Sequence, residues 1–485
     1  MYQLNPNDNQ YLHQSKLPLI IELDGTLIKS DLLFESFYSM IKHNLFLVFL
    51  LPLWFLHGKV YLKKQIAKHS YIDVESLPYQ RMFIEFLRIE FNNGRKLILV
   101  TASFKTLAIK VANYLGIFSE VLSTDENINI SGKQRLEVLL KKYGKQGFDY
   151  AGNGNPDHRI FPYARYAILV NPRKNILKTV KEHPHVRQVF DERNHGILPY
   201  FKVLRIHQWL KNLLLFIPLL TSHQWLNISI IIKSIVGFIA FNICASGGYL
   251  FNDLLDLPSD RNHPIKKHRP FTSGELSIIS GSILMILLVI IGLIIAAVIN
   301  WRFFGILLLY SLLTFAYTIH LKMYVLLDVL VLAILYTVRV IAGAELIQVP
   351  LSFWLLAFSL FLFFSLALIK RCSELYELIK IGSEQTRGRD YHITDINYLR
   401  EMGIVSGYLS IIVVALYINS TNVVILYSHP KVLWLICLVL FYWISRLWLK
   451  TGRGEMTEDP IIFSLKDRGS QYIMLAVVVI ILFAI

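Results

Sequence analysis

Long apolar runs occupy most of the chain from residue 200 to its end, and they constrain its fold more than any other feature. They are centred near residues 214, 240, 288, 311, 335, 360, 411, 438 and 477. Each has the character of a membrane-spanning helix. The mean hydropathy of +0.48 is also too high for an ordinary soluble protein. We therefore predict a C-terminal all-α membrane domain, residues 196–485, of nine transmembrane helices.

Lysine and arginine concentrate in alternate connections between these runs, at 261–269, Lys322, 371–400 and 450–468. Because cytoplasmic loops carry such an excess, we expect these connections and the N-terminal domain on the cytoplasmic side of the cell membrane, in a multi-pass protein. The same loops explain the net charge of +15, so nucleic acid is not an expected partner. With three cysteines in the chain, neither a disulfide framework nor a zinc site is expected.

A cluster of aspartates follows the second apolar run, in NDLLDLPSDRNHPIKKHRP (Asn252–Pro270). The spacing of three and four residues places Asp253, Asp256 and Asp260 on one face of a helix. Carboxylates gathered beside a membrane are costly unless a divalent cation binds between them, and Mg²⁺ takes one or two carboxylates together with substrate phosphate oxygens. The bases that follow, which suit the remaining phosphate charge, are Arg261, Lys266, Lys267 and Arg269. The alternative is a solvated loop whose charges only mark the cytoplasmic side.

Further polar side chains stand at the cytoplasmic ends of other predicted spans. They are Arg205, Gln208 and Asn212 on the first span, Ser311, Thr314, Thr318 and Lys322 on the fourth, and Asp328 on the fifth. Taken singly, such residues favour structural roles, for example Lys322 as a snorkelling flank and Arg339 as a buried interhelical partner. Taken together they indicate the wall of a cavity.

The first 195 residues alternate strand-like and helical segments, which predicts an α/β domain with a parallel sheet. A short apolar run ends in ELDGTLIKSDLL, a second strand reads KLILVTAS, and a third reads FDYAGNGNPD. Polar residues therefore gather at the carboxyl ends of the strands, where a chain presents carboxylates and N–H groups to a phosphate.

These segments resemble the four motifs of the haloacid dehalogenase-like phosphatases, DxDGT, Ser/Thr, Lys and GDxxxD, over residues 15–195. The resemblance implies a Rossmann-like parallel sheet with a helical cap inserted at 30–78. The positions that keep the family pattern are Asp24, Thr26, Thr101, Lys133 and Asp157. The family's nucleophilic aspartate falls on Glu22, and the first aspartate of the last motif falls on Asn153. We therefore expect a phosphate-binding or structural module with poor phosphatase activity, which restoring both aspartates should raise.

Within the cap insertion, Leu45–Leu56 is almost entirely apolar but too short to span a bilayer. Two interpretations remain open from the sequence. The segment is a buried cap helix, or it rests on the membrane interface.

The C-terminal half resembles the UbiA-type intramembrane prenyltransferase superfamily, and within it the decaprenyl-phosphate phosphoribosyltransferase branch. The motif NDxxDxxxD stands here as Asn252, Asp253, Asp256 and Asp260. The resemblance implies nine helices around a lipid-open cavity, with Mg²⁺ held by the aspartates and a polyprenyl substrate that enters from the bilayer. The catalytic residues expected on this basis are Asn252, Asp253, Asp256, Asp260, Lys322 and Asp328. The expected phosphate-binding residues are Arg205, Lys211, Asn212, Lys266, Lys267, Arg269, Tyr317, Lys370 and Arg371.

Together these features predict an Mg²⁺-dependent membrane transferase that joins a polyprenyl phosphate to phosphoribosyl diphosphate and releases diphosphate. One alternative is prenyl transfer from a polyprenyl diphosphate to an aromatic acceptor. A second is a membrane scaffold or transporter whose degenerate phosphatase domain acts as a sensor. The expected partners are a polyprenyl lipid, a diphosphate donor and membrane lipids, and the sequence leaves a homo-oligomer open.

Overall fold

The computed structural model describes residues 17–154, 157–172, 186–192, 196–263, 266–382, 389–420, 423, 427–456 and 459–485. Asn155 and Pro156 of the last phosphatase-like motif, and 383–388 of the basic connection at 371–400, lie outside the described residues. The chain forms two compact units. The first unit comprises residues 1–203 and 252–283, and the second comprises 204–251 and 284–485.

The first unit is built on a parallel sheet of six strands. These are β1 Leu19–Glu22, β2 Leu97–Phe104, β3 Glu120–Thr124, β4 Asp149–Gly152, β5 Ala167–Val170 and β6 Val186–Phe190. Their order is β3-β2-β1-β4-β5-β6, and every neighbouring pair is parallel. The predicted parallel α/β fold is therefore confirmed.

The helices around the sheet are α1 Leu32–His43, α2 Leu51–Leu56, α3 Lys59–His69, α4 Arg81–Asn92, α5 Lys105–Leu115 and α6 Lys133–Tyr143. All four residues of β1 are buried, as are all four of β4, because helices cover both faces of a parallel sheet. The strand order reverses beside β1, the arrangement that opens a crevice at the carboxyl ends of the strands. The phosphatase-like motif residues lie at those ends.

The cap insertion contains α1, a 3₁₀ helix at Leu45–Leu50, α2 and α3. Trp54 is buried, but the side chains of Phe46, Phe49 and Leu56 are 76%, 77% and 82% exposed. The expectation of a buried cap helix over Leu45–Leu56 is therefore wrong for these side chains. The membrane-interface interpretation stays a prediction.

The helices in the rest of the chain are α7 Leu198–Leu204, α8 Ile217–Thr221, α9 Ile228–Leu255, α10 Leu257–Arg261, α11 Ile278–Ile299, α12 Trp301–Ile319, α13 Leu327–Ile347, α14 Phe353–Ile381, α15 Ile396–Ile418, α16 Trp434–Gly452, α17 Pro460–Lys466 and α18 Arg468–Ala484. In the second unit α13 packs against α12 and α14, and α14 packs against α15. Of the helices that could span a membrane, α13 is the most buried by protein.

Among the described residues, seven helices are long and apolar enough to cross a membrane, or eight if the pair α17 and α18, bent by 84°, counts as one span. The predicted number of nine is thus not reached. At the first predicted span the chain forms a 3₁₀ helix, Ile206–Phe216, before the five-residue α8. Pro218 stands in the first turn of α8, where its missing N–H costs least, and it prevents one continuous α-helix through this segment.

Candidate functional site

The three predicted aspartates lie around a break between two helices. Asp253 is in the last turn of α9, Asp256 is the residue between the helices, and Asp260 is in α10. The expectation of one continuous helix through all three is therefore wrong. Pro258 explains the break, because a proline cannot donate to the carbonyl four residues back and is tolerated in the first turn of a new helix.

One arginine bridges two of these carboxylates. Nη1 of Arg269 lies 3.0 Å from Oδ1 of Asp253 and 2.5 Å from Oδ2 of Asp260. The two carboxylates are 5% and 4% exposed, whereas the arginine side chain is 27% exposed. Burial raises the pKa of Asp260, and the positive charges of Arg269 and Lys266 oppose that shift. The pair of carboxylates therefore needs a cation, and the cation's position is open to solvent.

The chemistry of this pair fits Mg²⁺ in a limited way. In the described part of the chain, no three or more histidine, cysteine or acidic side chains converge on one point that would hold a metal. Magnesium, however, commonly takes one or two protein carboxylates and completes its octahedron with water and substrate phosphates. Asp253 and Asp260 already share one cationic group, Nη1 of Arg269, so they can hold an ion between them. Asp256 lies beside Lys42, with 3.2 Å between Oδ1 and Nζ.

The other residues expected around this segment are placed as follows. Asn252 lies in the same turn of α9 as Asp253 and is half-buried. Nζ of Lys266 is 3.9 Å from Oδ1 of Asp260, and Lys267 is exposed. Of these two lysines, Lys266 lies beside a carboxylate of the first unit. We call residues 252–283, which pack with this unit, the aspartate segment.

In the second unit, two predicted phosphate-binding lysines share one carboxylate that the sequence analysis missed. Nζ of Lys211 lies 2.7 Å from Oδ2 of Asp459, and Nζ of Lys370 lies 3.6 Å from the same atom. Asp459 also caps α17, accepting from the N–H of Ile461. The exposed fractions are 10% for Lys211, 30% for Lys370 and 7% for Asp459. Two lysines against one carboxylate leave a net positive charge at this position.

A second network joins three other expected residues, Tyr317, Asp328 and Arg371. Nε of Arg371 is 2.5 Å from Oδ2 of Asp328, and its Nη2 donates to Oδ1 of the same carboxylate at 3.0 Å. The hydroxyl of Tyr317 also donates to Asp328, at 2.8 Å. Arg371 is only 1% exposed and Asp328 is fully buried, so both charged groups lie inside the second unit and are paired there. Glu374 takes the other end of the guanidinium.

The polar face of the first predicted span is engaged in packing within the second unit. Nδ2 of Asn212 donates to Oδ1 of Asn242 at 2.6 Å, and Nε of Arg339 donates to Oδ1 of Asn212 at 2.6 Å. Arg339 is 5% exposed, which agrees with its expected role as a buried interhelical partner. The guanidinium of Arg205 lies over the ring of Tyr249, 5.8 Å from its centroid. Lys322 is buried, in a 3₁₀ turn just after α12.

The phosphatase-like motif residues meet at the carboxyl edge of the sheet. Oδ2 of Asp24 accepts from the hydroxyls of Thr101 at 2.8 Å and Ser103 at 3.2 Å. Nδ2 of Asn153 donates to the backbone carbonyl of Asp24 at 3.1 Å. Gly25 has a φ of +73°, and a Cβ there would come within 2.0 Å of the Asn153 amide, so this close approach requires glycine.

The centre of this edge is occupied by an arginine that the sequence analysis missed. Nη1 of Arg135 lies 2.5 Å from Oε1 of Glu22 and 3.1 Å from Oδ1 of Asp157, and the hydroxyl of Tyr150 donates to Asp157 at 2.7 Å. All of these side chains are at most 5% exposed. Burial, followed by the charge of Asp157, raises the pKa of Glu22, and Arg135 opposes this shift.

Glu22 therefore offers little free carboxylate to act as a nucleophile. Lys133, the expected motif lysine, is exposed at the first position of α6, and Arg135 two residues later turns inward. Thr26 is buried, with its hydroxyl 3.5 Å from Oε2 of Glu22. No motif points to Arg135, so only the spacing on α6 could have suggested it.

The family model described as the UbiA prenyltransferase family matches residues 213–464. The uncharacterized protein y4nM of Sinorhizobium fredii is 33% identical to this chain over 461 residues, covering 94% of the chain and 89% of the relative. The nodulation protein NoeC of Azorhizobium caulinodans is 34% identical and covers 56% of the chain and 89% of the relative. The decaprenyl-phosphate phosphoribosyltransferase of Mycolicibacterium smegmatis is 27% identical and covers 57% of the chain and 88% of the relative. The match to y4nM extends over both parts of the chain.

Proposed function

Because the chain belongs to the UbiA prenyltransferase family, we propose that it transfers ribose 5-phosphate from phosphoribosyl diphosphate to a polyprenyl phosphate. The observation that carries this proposal is the pair Asp253 and Asp260, which shares one cationic group at a partly solvent-open position. A diphosphate with its metal ion needs such a place. The similarity to a decaprenyl-phosphate phosphoribosyltransferase supports the choice of donor and acceptor.

In this proposal Asp253 and Asp260 hold Mg²⁺, and Asp256 lies next to them in the chain. When bound, Mg²⁺ would neutralise the negative charge that grows on the diphosphate as it leaves. Arg269 is displaced from the carboxylates and, with Lys266 and Lys267, binds diphosphate oxygens. Asn252, in the same turn as Asp253, provides an uncharged amide beside these charges.

The reaction forms one bond and breaks one bond at C1 of the ribose. An oxygen of the polyprenyl phosphate attacks C1, and the bond between C1 and the diphosphate oxygen breaks with its electron pair. No proton has to be removed, because the attacking phosphate oxygen is already ionised at neutral pH. The protein's work is to hold two anions together and to stabilise the departing charge.

Charge balance favours this reaction over prenyl transfer to an aromatic acceptor. A phosphoribosyl donor brings a 5-phosphate, and the lipid acceptor brings another phosphate, so cations are needed beyond those that face the diphosphate. Lys211 and Lys370, which both contact Asp459, are candidates for these groups. Arg205 and Lys322 are further candidates. The side chains of Arg371, Asp328 and Tyr317 bind one another. They would fix α14, the helix that carries Lys370, against α12 and α13.

The proposal also fixes the orientation of the chain. The chain is a membrane protein with seven or eight apolar spans among its described residues. We infer that it lies in the cell membrane with the phosphatase-like domain and the aspartate segment in the cytoplasm, because a phosphoribosyl donor is a soluble cytoplasmic metabolite and the basic connections favour that side.

The test uses the purified full-length protein in lipid nanodiscs with Mg²⁺, polyprenyl phosphate and phosphoribosyl diphosphate labelled in the ribose. Label should enter the lipid phase, and Asp253→Asn should abolish this transfer. Asp390→Asn, which changes a carboxylate 75% exposed in the second unit, is the matched control and should keep wild-type activity. Absence of labelled lipid, together with transfer of a prenyl chain to an aromatic acid, would replace phosphoribosyl transfer with prenyl transfer.

A further inference from the structure

Helix α1 of the cap insertion contacts the aspartate segment through a buried ion pair. Oε1 of Glu35 lies 2.5 Å from Nη2 of Arg261, and Oε2 lies 3.2 Å from Nη1. The side chains are 3% and 6% exposed. Two parallel hydrogen bonds between a guanidinium and a carboxylate fix direction as well as distance. Because Arg261 directly follows Asp260, this pair fixes the end of α10 that carries a proposed metal ligand.

Two more contacts come from the same face of α1. Tyr38 and Lys42 lie three and seven residues after Glu35, a spacing that places all three on one side of a helix. Nζ of Lys42 lies 3.2 Å from Oδ1 of Asp256, and the hydroxyl of Tyr38 lies 2.6 Å from Oγ of Ser282. The start, the middle and the end of α1 therefore each contact the aspartate segment, at Arg261, Ser282 and Asp256 respectively.

The other end of α1 is anchored in the phosphatase-like site. Oδ1 of Asp24 accepts from the backbone N–H of Leu32 at 2.8 Å, and Asp31 caps the helix by accepting from the N–H groups of Leu33 and Phe34. Just before the helix, Lys29 packs against Gly274 of the aspartate segment, where a Cβ would come within 2.5 Å. Asp24, a residue of the phosphatase-like site, thus binds the start of the same helix that contacts the aspartate segment.

We propose that helix α1 positions the aspartates of the transferase site, and that this positioning is the function of the phosphatase-like domain. Glu35 acts as a positioning residue through Arg261, and Lys42 places a positive charge next to Asp256. This inference rests on the proposed function of the aspartate segment. It explains why a domain whose central cleft is filled by Arg135 still forms one compact unit with residues 252–283.

The test compares variants of the full-length protein in nanodiscs by kinetics and by hydrogen–deuterium exchange. Glu35→Gln removes the ionic hold on Arg261, so kcat should fall by about 100-fold, because a shift of about 1 Å at a reacting group costs that much. Backbone amides of 257–261 should exchange faster in the same variant. The charge swap Glu35→Arg with Arg261→Glu should recover at least about tenfold over either single change.

Glu126→Gln is the matched control. It is the same substitution in the same domain, and it breaks an exposed pair with Lys64, whose ammonium lies 2.6 Å from the glutamate. It should leave both kcat and the exchange of 257–261 at wild-type values. Wild-type kcat and exchange in Glu35→Gln, or an equal loss in Glu126→Gln, would overturn the inference.

Lys42→Met provides a second variant if Glu35→Gln does not fold, since the lysine side chain is 32% exposed. The KM for phosphoribosyl diphosphate should rise by about tenfold while kcat changes little, and Lys42→Arg should restore it. Unchanged kinetics in Lys42→Met would contradict the inference. If the wild-type protein transfers no ribose phosphate at all, the proposed function fails, whereas the exchange of 257–261 in the variants still decides whether α1 holds this segment.

Discussion

Two acidic centres in the first unit have the same arrangement, one arginine nitrogen between two carboxylates, and differ in access to solvent. At the phosphatase-like site, Nη1 of Arg135 lies between Glu22 and Asp157, and the three side chains are 5%, 4% and 0% exposed. At the aspartate segment, Nη1 of Arg269 lies between Asp253 and Asp260, and the arginine is 27% exposed. In the first centre the arginine is part of the core. In the second the arginine is partly open to solvent, although both carboxylates are buried.

The difference shows how one charge pattern serves two purposes. Removing a buried cation leaves two desolvated carboxylates without compensation, so the arrangement at Arg135 is fixed. A partly exposed cation can be exchanged for a hydrated metal ion and the phosphates it brings, because water stabilises both states. On the proposed function, the first centre is therefore structural and the second is the one that would bind metal and phosphate.

The largest expected effect is a difference in stability between two variants, in which Arg135 or Arg269 is replaced by methionine. Arg135→Met should destabilise the first unit by about 3–5 kcal/mol, because it breaks a buried ion pair and strands Glu22 and Asp157. With Mg²⁺ present, Arg269→Met should cost less than Arg135→Met, because a hydrated metal ion can then compensate Asp253 and Asp260, which are themselves 5% and 4% exposed. Urea-dependent proteolysis of the full-length protein measures both changes. Equal losses for the two variants would abolish the distinction between the centres.

The second prediction concerns function at the open centre. Arg269→Met should raise the KM for phosphoribosyl diphosphate by about 10- to 100-fold, the loss expected when a charge-assisted contact of about 1.5–3 kcal/mol is removed. Arg269→Lys should recover part of the affinity, since it keeps the charge but not the fork of donors. Initial rates over a range of donor concentrations give both constants. An unchanged KM in Arg269→Met would mean that the arginine does not reach the donor.

Much of the fold could be predicted from the sequence, because hydrophobic patterning reports burial directly. The apolar runs gave the membrane helices, and the strand pattern gave a parallel sheet. The count of nine spans failed where local backbone chemistry decided the outcome. Pro218 divides the first span, and the last pair of helices bends by 84°.

The site could be predicted only in part. The spacing of Asp253, Asp256 and Asp260 predicts a metal site in this segment, and that stays a prediction. The spacing could not show that Pro258 breaks the helix or that Arg269 bridges the outer pair. Partners distant in sequence were missed entirely. Glu35 and Arg261 are 226 residues apart, and Arg135 and Glu22 are 113 residues apart. Only tertiary folding brings such charges together, and no local pattern records it.

The third prediction concerns restoring the phosphatase motif at the centre around Arg135. Glu22→Asp with Asn153→Asp restores the two missing aspartates, yet the structure adds a third obstacle, the guanidinium of Arg135 beside Glu22 and Asp157. We expect no Mg²⁺-dependent hydrolysis of an aryl phosphate from the double variant. Adding Arg135→Leu removes this obstacle but destabilises the first unit, so the triple variant is assayed with Mg²⁺ in excess, which can compensate the restored aspartates. It should then give activity at least about tenfold above background. High activity in the double variant would show that Arg135 is no obstacle.

The smallest effect concerns Asp31, the N-cap residue of α1. Burial, followed by the charge of Asp24, raises the pKa of Asp31 to about 7 in the folded protein. The folded state therefore binds this proton more tightly than the unfolded chain, whose aspartates titrate near about 3.9. Its contribution to stability is present in acid and is lost as the pH rises towards about 7.

Asp31→Asn keeps a side-chain oxygen that accepts from the N–H groups of Leu33 and Phe34, but the new side chain cannot ionise. Between pH 6 and pH 8 the Tm of the wild-type protein should thus fall by about 2–4 °C more than that of the variant, about 1 kcal/mol for a domain of this size. Thermal unfolding of both proteins across this pH range provides the measurement, and parallel curves would show that Asp31 does not titrate there.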